Sequence, residues 1–232
     1  MKFVGTIALF TFFLSLLGNR AYSQADSFTT EWAYGINGGL TFSKVGFSSS
    51  RLSVPQVLLE QFSGGITVRY ISENHFGIQG ELNYALYGWK ERTDTIYSNR
   101  YARSIAYLEL PVMTHIYFNL SKRIRIIFNL GPQIGYYIGE KEIERDIIDL
   151  KQETDDSEQT QKPSYYDTSV QHSFGYGLKG VMGFEFRTKI GSFILDGRYY
   201  YGLSDIFNST KSDWFQASHN QVMGVNLTYL FR

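Results

Sequence analysis

His115 and Glu109 are an even number of residues apart in one extended stretch, so a strand would place both on the same face. Glu81 and Arg125 hold the matching parity in the segments before and after it. A histidine beside a carboxylate is a pair that can perform general acid–base catalysis. Arg69, Lys179, Glu185, Asp196 and Arg198 share this parity in their own segments, with Asn, Gln and Gly between them. Opposite charges mixed in this way also suit a buried, mutually compensating network, because an unpaired buried charge is costly. The set Arg69, Glu81, Glu109, His115, Arg125, Lys179, Glu185, Asp196 and Arg198 reads as such a network, and no residue in it is assigned a catalytic role.

A second set, His172, His219, Asp167, Asp205 and Asp213, falls near segment ends, where an enzyme built on a barrel rim would carry its acids and bases. No spacing among these residues specifies a triad or a carboxylate pair. The absence of Cys removes a disulfide framework, a thiolate zinc site, a Cys nucleophile and a lipid-bearing N-terminal Cys. There is no Gly-rich phosphate loop followed by Lys and no metal-spaced His pair, so neither cofactor nor metal is expected. The Asn-x-Ser/Thr tripeptides at Asn119, Asn208 and Asn226 read as chance matches. With 22 Lys+Arg against 22 Asp+Glu the chain lacks the basic excess of a nucleic-acid binder.

The elements that must hold these residues are strands. Tyr and Phe each number 18 and Gly 22, while Pro is held to 4, a composition that favours β-structure. Residues 1–23 read as a cleaved signal peptide: Lys2, an uncharged run from Phe3 to Leu17, then Ala21-Tyr22-Ser23 as a small-x-small cleavage site. That run is too short for the ~20 residues of a membrane-spanning helix, and no later segment is longer. Residues 24–232 are expected to form one domain.

Eight segments of that domain alternate with period two. One face reads Trp32, Tyr34, Ile36, Leu40 in the first segment and Met223, Val225, Leu227, Tyr229, Phe231 in the last; no charge interrupts it in any of the eight. The other face carries the polar set above. A soluble lipocalin-like barrel would turn the apolar face inward, whereas a membrane barrel turns it outward. The uncharged face, the polar face rich in Gly, Asn and Gln, and aromatics at segment ends (Trp32, Phe62, Phe76, Phe118, Phe174, Phe186, Phe193, Phe231) favour the membrane. Connections alternate long and short, as extracellular loops and periplasmic turns do. The expected fold is all-β: an eight-stranded antiparallel up-and-down transmembrane β-barrel in the outer membrane of a Gram-negative bacterium, both termini periplasmic. Pro111 and Pro132 fall inside strands, where bulges are expected to absorb them.

At these residues the chain also resembles a known family. Tyr107-Leu108-Glu109-Leu110-Pro111 is similar to the Leu-Glu-(Ile/Leu)-Pro signature of the PorT-like outer-membrane β-barrels of Bacteroidetes. Gly131-Pro132 with Gly135-Tyr136, the run Tyr201 to Ile206, and the closing run Val225 to Phe231 resemble later strands of that family in order and spacing. The resemblance implies a barrel and a location; founding members are linked to type IX secretion and gliding, so an association with protein secretion or the cell envelope is an expectation.

Function is expected in a structural or interaction role: a plugged polar lumen with extracellular loops that present a surface. The alternatives are a narrow transport or ligand-binding barrel and, behind it, a rim enzyme. Expected partners are outer-membrane lipid, the barrel-assembly machinery and a protein met through the loops, with oligomeric state left open. Two loops carry candidate contacts. The first contains Leu52, Val54, Val57, Leu58 and Leu59, too apolar for an ordinary solvated loop; a second strand that begins early, with this stretch against the membrane rim, fits it better than a partner contact. The other contains Ile143, Ile147, Ile148 and Leu150 at the spacing of a short amphipathic helix, followed by Tyr165 and Tyr166.

Overall fold

A computed structural model describes residues 30–48, 56–92, 100–146, 169–207 and 217–231. The expected leader, residues 1–23, lies outside them. Nine strands occur: β1 (Glu31–Ser48), β2 (Gln56–Val57), β3 (Leu59–Glu73), β4 (Phe76–Arg92), β5 (Arg100–Asn119), β6 (Ile124–Asp146), β7 (Phe174–Arg187), β8 (Gly191–Asp205) and β9 (Ala217–Phe231). Every pairing is antiparallel: β1 joins β3, the strands from β3 to β9 pair in chain order, and β1 closes onto β9 from Tyr34↔Phe231 to Ser48↔Ala217. β2 is a stub on the end of β4 (Gln56↔Glu91, Val57↔Lys90), so the ring itself contains eight strands. No helix is present among the described residues.

Alternation dictates what faces where. Trp32, Tyr34, Ile36 and Leu40 of β1 point outward, while Asn37, Thr41 and Ser43 are buried inside. The same division holds around the ring: Leu108, Leu110 and Val112 out with Glu109, Met113 and His115 in; Leu178 and Met182 out with Lys179 and Val181 in. The exterior is therefore an apolar band and the polar side chains fill the lumen, the inverse of a soluble protein. Aromatics ring the short-turn end, with Trp32 against Tyr70 at 4.7 Å and Phe193 against Tyr229 at 4.9 Å between ring centroids. So small a ring needs close strand approach on its inner surface. A Cβ on Gly39 would stand 2.2 Å from the Val225 carbonyl oxygen, and one on Gly65 2.0 Å from that of Leu82. Only glycine fits there.

Three expectations change. Neither internal proline makes a bulge. The β5–β6 register is the same on both sides of Pro111, from Pro111↔Gln133 to Thr114↔Leu130, and Pro132 pairs with Leu178 in an unbroken β6–β7 register. Long strands held at both ends of the ring keep their register across one missing donor. The shifts fall elsewhere, at Ala102/Arg103 and Ala106/Tyr107 in the β5–β6 pairing.

Next, Ile143 is not on a helix. It lies on β6, exposed, where Arg103↔Glu142 and Ala102↔Glu144 leave it as the extra residue of a bulge. The long partner strand β5 supplies ladder hydrogen bonds that a lone helical turn would have to do without. Ile147, Ile148 and Leu150 lie outside the described residues.

Finally, Leu59 is not a surface contact. It pairs with Ser43 at the start of β3, and its odd-numbered parity turns it into the lumen beside Gly88.

The facing assignment has a direct consequence. Leu130 is 65 % exposed on the outer wall, opposite Thr114 and Gly180. On a lipid-facing wall Leu130→Arg should lower stability by about 2–4 kcal/mol, whereas Leu130→Phe should be near neutral. Urea unfolding in lipid vesicles, followed by tryptophan fluorescence, measures both.

Candidate functional site in the barrel lumen

The inward side chains form two layers. The lower layer is polar and is tied across the diameter of the ring. Arg69 on β3 donates from Nη1 to Glu185 Oε2 on β7 at 2.9 Å, and from Nε and Nη2 to Gln79 Oε1 at 2.9 and 2.8 Å. Arg198 on β8 donates from Nη1 to Glu81 Oε2 on β4 at 2.8 Å and from Nε to Asp196 Oδ1 at 2.6 Å. Each of these long bridges joins strands four places apart in the ring of eight, which is directly opposite. Gln79 and Asn83 each donate to Glu81 at 2.9 Å. Glu109 accepts from Gln133 Nε2 at 2.8 Å and faces Lys179 Nζ at 3.8 Å. His115 Nδ1 meets Asn129 Oδ1 at 2.7 Å. The structure thus places all nine charged or titratable residues of the polar set on the interior. It does not bring His115 and Glu109 together, because each is engaged by a different neighbour.

Above this layer sits an aromatic plug that the alternation pattern does not reveal. Tyr87 lies 5.7 Å from Tyr107 and 6.1 Å from Tyr200 between centroids, and Trp89 packs at 6.0 Å on Tyr101 and 6.1 Å on Phe207. Val45, Ala85, Ile105, Ile206 and Val222 complete the cluster. Ile206 and Phe207 reach it because the chain after β8 folds inward, held by Ile206 N to Ser218 O at 3.0 Å and by Gln171 N and His172 N to Ile206 O. Arg103 rests on Trp89 and Tyr101 at 5.6 Å from each ring, with Glu140 at 3.5 Å and Glu142 at 3.4 Å. A sign of the plug is present in the sequence: the upper parts of β4 and β5 are apolar on both faces, as in Tyr84–Trp89 and Ile105–Leu108.

At the rim the structure brings Asp205 and His219 to 3.7 Å. The neighbouring hydroxyls are committed to backbone groups: Ser218 Oγ accepts from Ile206 N and Phe207 N, and Ser204 Oγ accepts from Tyr176 N. Asp205 itself accepts from Ser218 N at 2.6 Å. His172 is exposed. Asp167 and Asp213 lie outside the described residues. Among the described residues no group of three or more His, Asp or Glu could hold a metal ion. Of the candidate contacts, Val57, Leu58 and Ile143 are exposed; Leu52, Val54, Ile147, Tyr165 and Tyr166 lie outside the described residues.

The match to a known family points the same way. A profile of the family described as "Outer membrane protein beta-barrel domain" matches residues 22–208. Among solved structures, the outer membrane protein OprG of Pseudomonas aeruginosa is 11 % identical, with 86 % of this chain and 96 % of that one covered at a TM-score of 0.48. The attachment invasion locus protein Ail of Yersinia pestis is 13 % identical over 87 % of this chain and 99 % of its own, at 0.37. Neisserial surface protein A is 10 % identical over 87 % and 99 %, at 0.42. No curated protein matches the chain.

The cross-lumen bridges make one side chain disproportionately important. Arg198 compensates both Glu81 and Asp196, all three of them almost wholly buried. Arg198→Met leaves two carboxylates facing each other without the guanidinium that bridges them and should cost about 3–5 kcal/mol. Adding Glu81→Gln and Asp196→Asn to that variant should restore much of the loss. Denaturant midpoints of the three proteins in one detergent give the comparison.

Proposed function

We propose, for a chain that belongs to the outer membrane protein β-barrel domain family, that its role in the outer membrane is structural and interactive: a closed barrel that holds an extracellular surface in place. The observation that carries this reading is the filled lumen. The polar layer and the aromatic plug together fill the interior among the described residues, and the interior of an eight-stranded ring is only wide enough for its own side chains. A selective surface then has to sit at the ends. β4, β5 and β6 continue beyond the apolar band, and charge appears on their outer face only there: Lys141 is exposed, and Lys90 bridges Glu144 at 3.0 Å. These extensions form a rigid base for the long connections, the arrangement on which binding residues are commonly carried. Val57, Leu58, Ile138 and Ile143 add exposed apolar side chains to that end.

The finer reading joins this geometry to the sequence. The Leu-Glu-Leu-Pro run at 108–111 and the closing strand support membership of the PorT-like group of Bacteroidetes and an association with protein secretion or the envelope. Short turns at 74–75, 120–123 and 188–190 support a periplasmic position for that end and for both termini, after removal of residues 1–23 and insertion by the barrel-assembly machinery.

Two experiments test the reading. Planar-bilayer recordings of the refolded protein should show no large, steady conductance; a porin-like current would replace the scaffold with a transporter. Deletion of 143–166 closed by a short turn should leave a protease-resistant barrel but abolish co-purification of a partner captured from native membranes. A partner retained in full by that variant would move the contact to the apolar first loop around Val57 and Leu58.

A further inference from the structure

The charges of the lumen balance as a whole but not locally, and the imbalance lies at the short-turn mouth. There Arg69 and Arg125 share one carboxylate, Glu185. In the β6–β7 register Arg125 stands directly opposite Glu185, yet Glu185 Oε2 is taken by Arg69 from across the ring at 2.9 Å. Arg125 is left with an amide and a ring: its Nε donates to Asn119 Oδ1 at 3.0 Å and its guanidinium lies 4.3 Å from the centroid of Tyr117. Among the described residues its Nη atoms meet no acceptor and no carboxylate, although the side chain is only 7 % exposed.

What these nitrogens do meet is space. A cavity of about 280 Å³ opens at this mouth, lined by Arg69, Arg125 and Arg187, with Glu185 already engaged, Glu31 at the exposed edge and Trp32 on the wall. Arg187 is half-buried and likewise forms no side-chain ion pair among the described residues. A buried cation without a counter-charge is costly. A guanidinium presents a planar fork of donors that matches the oxygens of a phosphate or carboxylate. We infer that this cavity is an oxyanion site, in which Arg125 and Arg187 hold a phosphate group through paired N–H···O contacts and Arg69, already neutralised, forms the inner wall. The position beside the aromatic ring of the membrane boundary gives the phosphate two sources, a free anion in the aqueous phase or the headgroup of an anionic phospholipid. The site is independent of the extracellular surface proposed above, since it lies at the opposite end of the barrel.

The test uses the full chain folded in dodecyl maltoside, which carries no phosphate. Inorganic phosphate is titrated while the Arg125 and Arg187 Nε–H resonances are followed; a parallel series replaces phosphate with micelles doped with phosphatidylglycerol. A saturable shift of both resonances with phosphate identifies the free anion as ligand. A shift with phosphatidylglycerol alone identifies the headgroup. Arg125→Gln should weaken whichever probe binds by about tenfold or more, as expected for loss of a charge-assisted contact, and Arg125→Lys should weaken it less. Heat-dependent gel mobility confirms that each variant is folded. Should Arg125→Gln not fold, Arg187→Gln at the half-exposed edge serves in its place and should weaken binding several-fold. No shift with either probe, or an affinity unchanged in the folded variant, overturns the inference.

Discussion

Within hydrocarbon a backbone N–H or C=O has no water to bond to, and each one left unpaired costs several kcal/mol. The pairing of β1 with β9 is the interaction that removes this problem. It joins the first strand to the last from Tyr34↔Phe231 to Ser48↔Ala217, and without it both would be open edges. Other features follow from that closure. A ring of eight strands turns sharply enough that Gly39 and Gly65 must lack a Cβ, and it is narrow enough that inward side chains meet across it. The direct bridges from Arg69 to Glu185 and from Arg198 to Glu81 exist because closure sets β3 opposite β7 and β4 opposite β8.

The two lumen layers deal with burial in opposite ways. In the lower one, charges are retained and compensated by partners from the far wall, so that amides such as Gln79 and Asn83 act as spacers with hydrogen bonds to give. In the upper one, where strands leave the membrane band, the fill is aromatic and its polar atoms are paired close by, Trp89 Nε1 with Glu91 at 2.9 Å and Arg103 with Glu140 and Glu142. A polar network tolerates little mispairing in a low dielectric, whereas packed rings tolerate small displacements. The upper layer is thus the better place for a chain segment such as Ile206–Phe207 to fold in from a connection. Arg125 shows what happens where compensation stops short: the guanidinium lies against Tyr117 and turns its remaining donors to a cavity.

What the amino-acid sequence determined by itself was everything that depends on a local period. Alternation assigned the outward face of all eight ring strands and placed the nine polar residues inside, because a strand side chain has only two directions to take. The chemistry of composition, with no Cys and no charge excess, narrowed the classes of function. The tertiary structure decided whatever depends on who stands across the ring. Nothing in the order of residues says that Arg69 takes Glu185 away from Arg125, because those partners are brought together by closure and by register summed over several pairings. Ile143 carried a helical spacing, but the length of β5 was the deciding quantity, since a neighbouring strand offers hydrogen bonds that an isolated turn lacks. Pro111 suggested a bulge, and the surrounding ladder kept its register instead. Leu59 looked like a loop residue until the pairing with Ser43 fixed its parity. A period read along one chain reports the direction of a side chain, and the partner that the side chain reaches is a property of the closed ring.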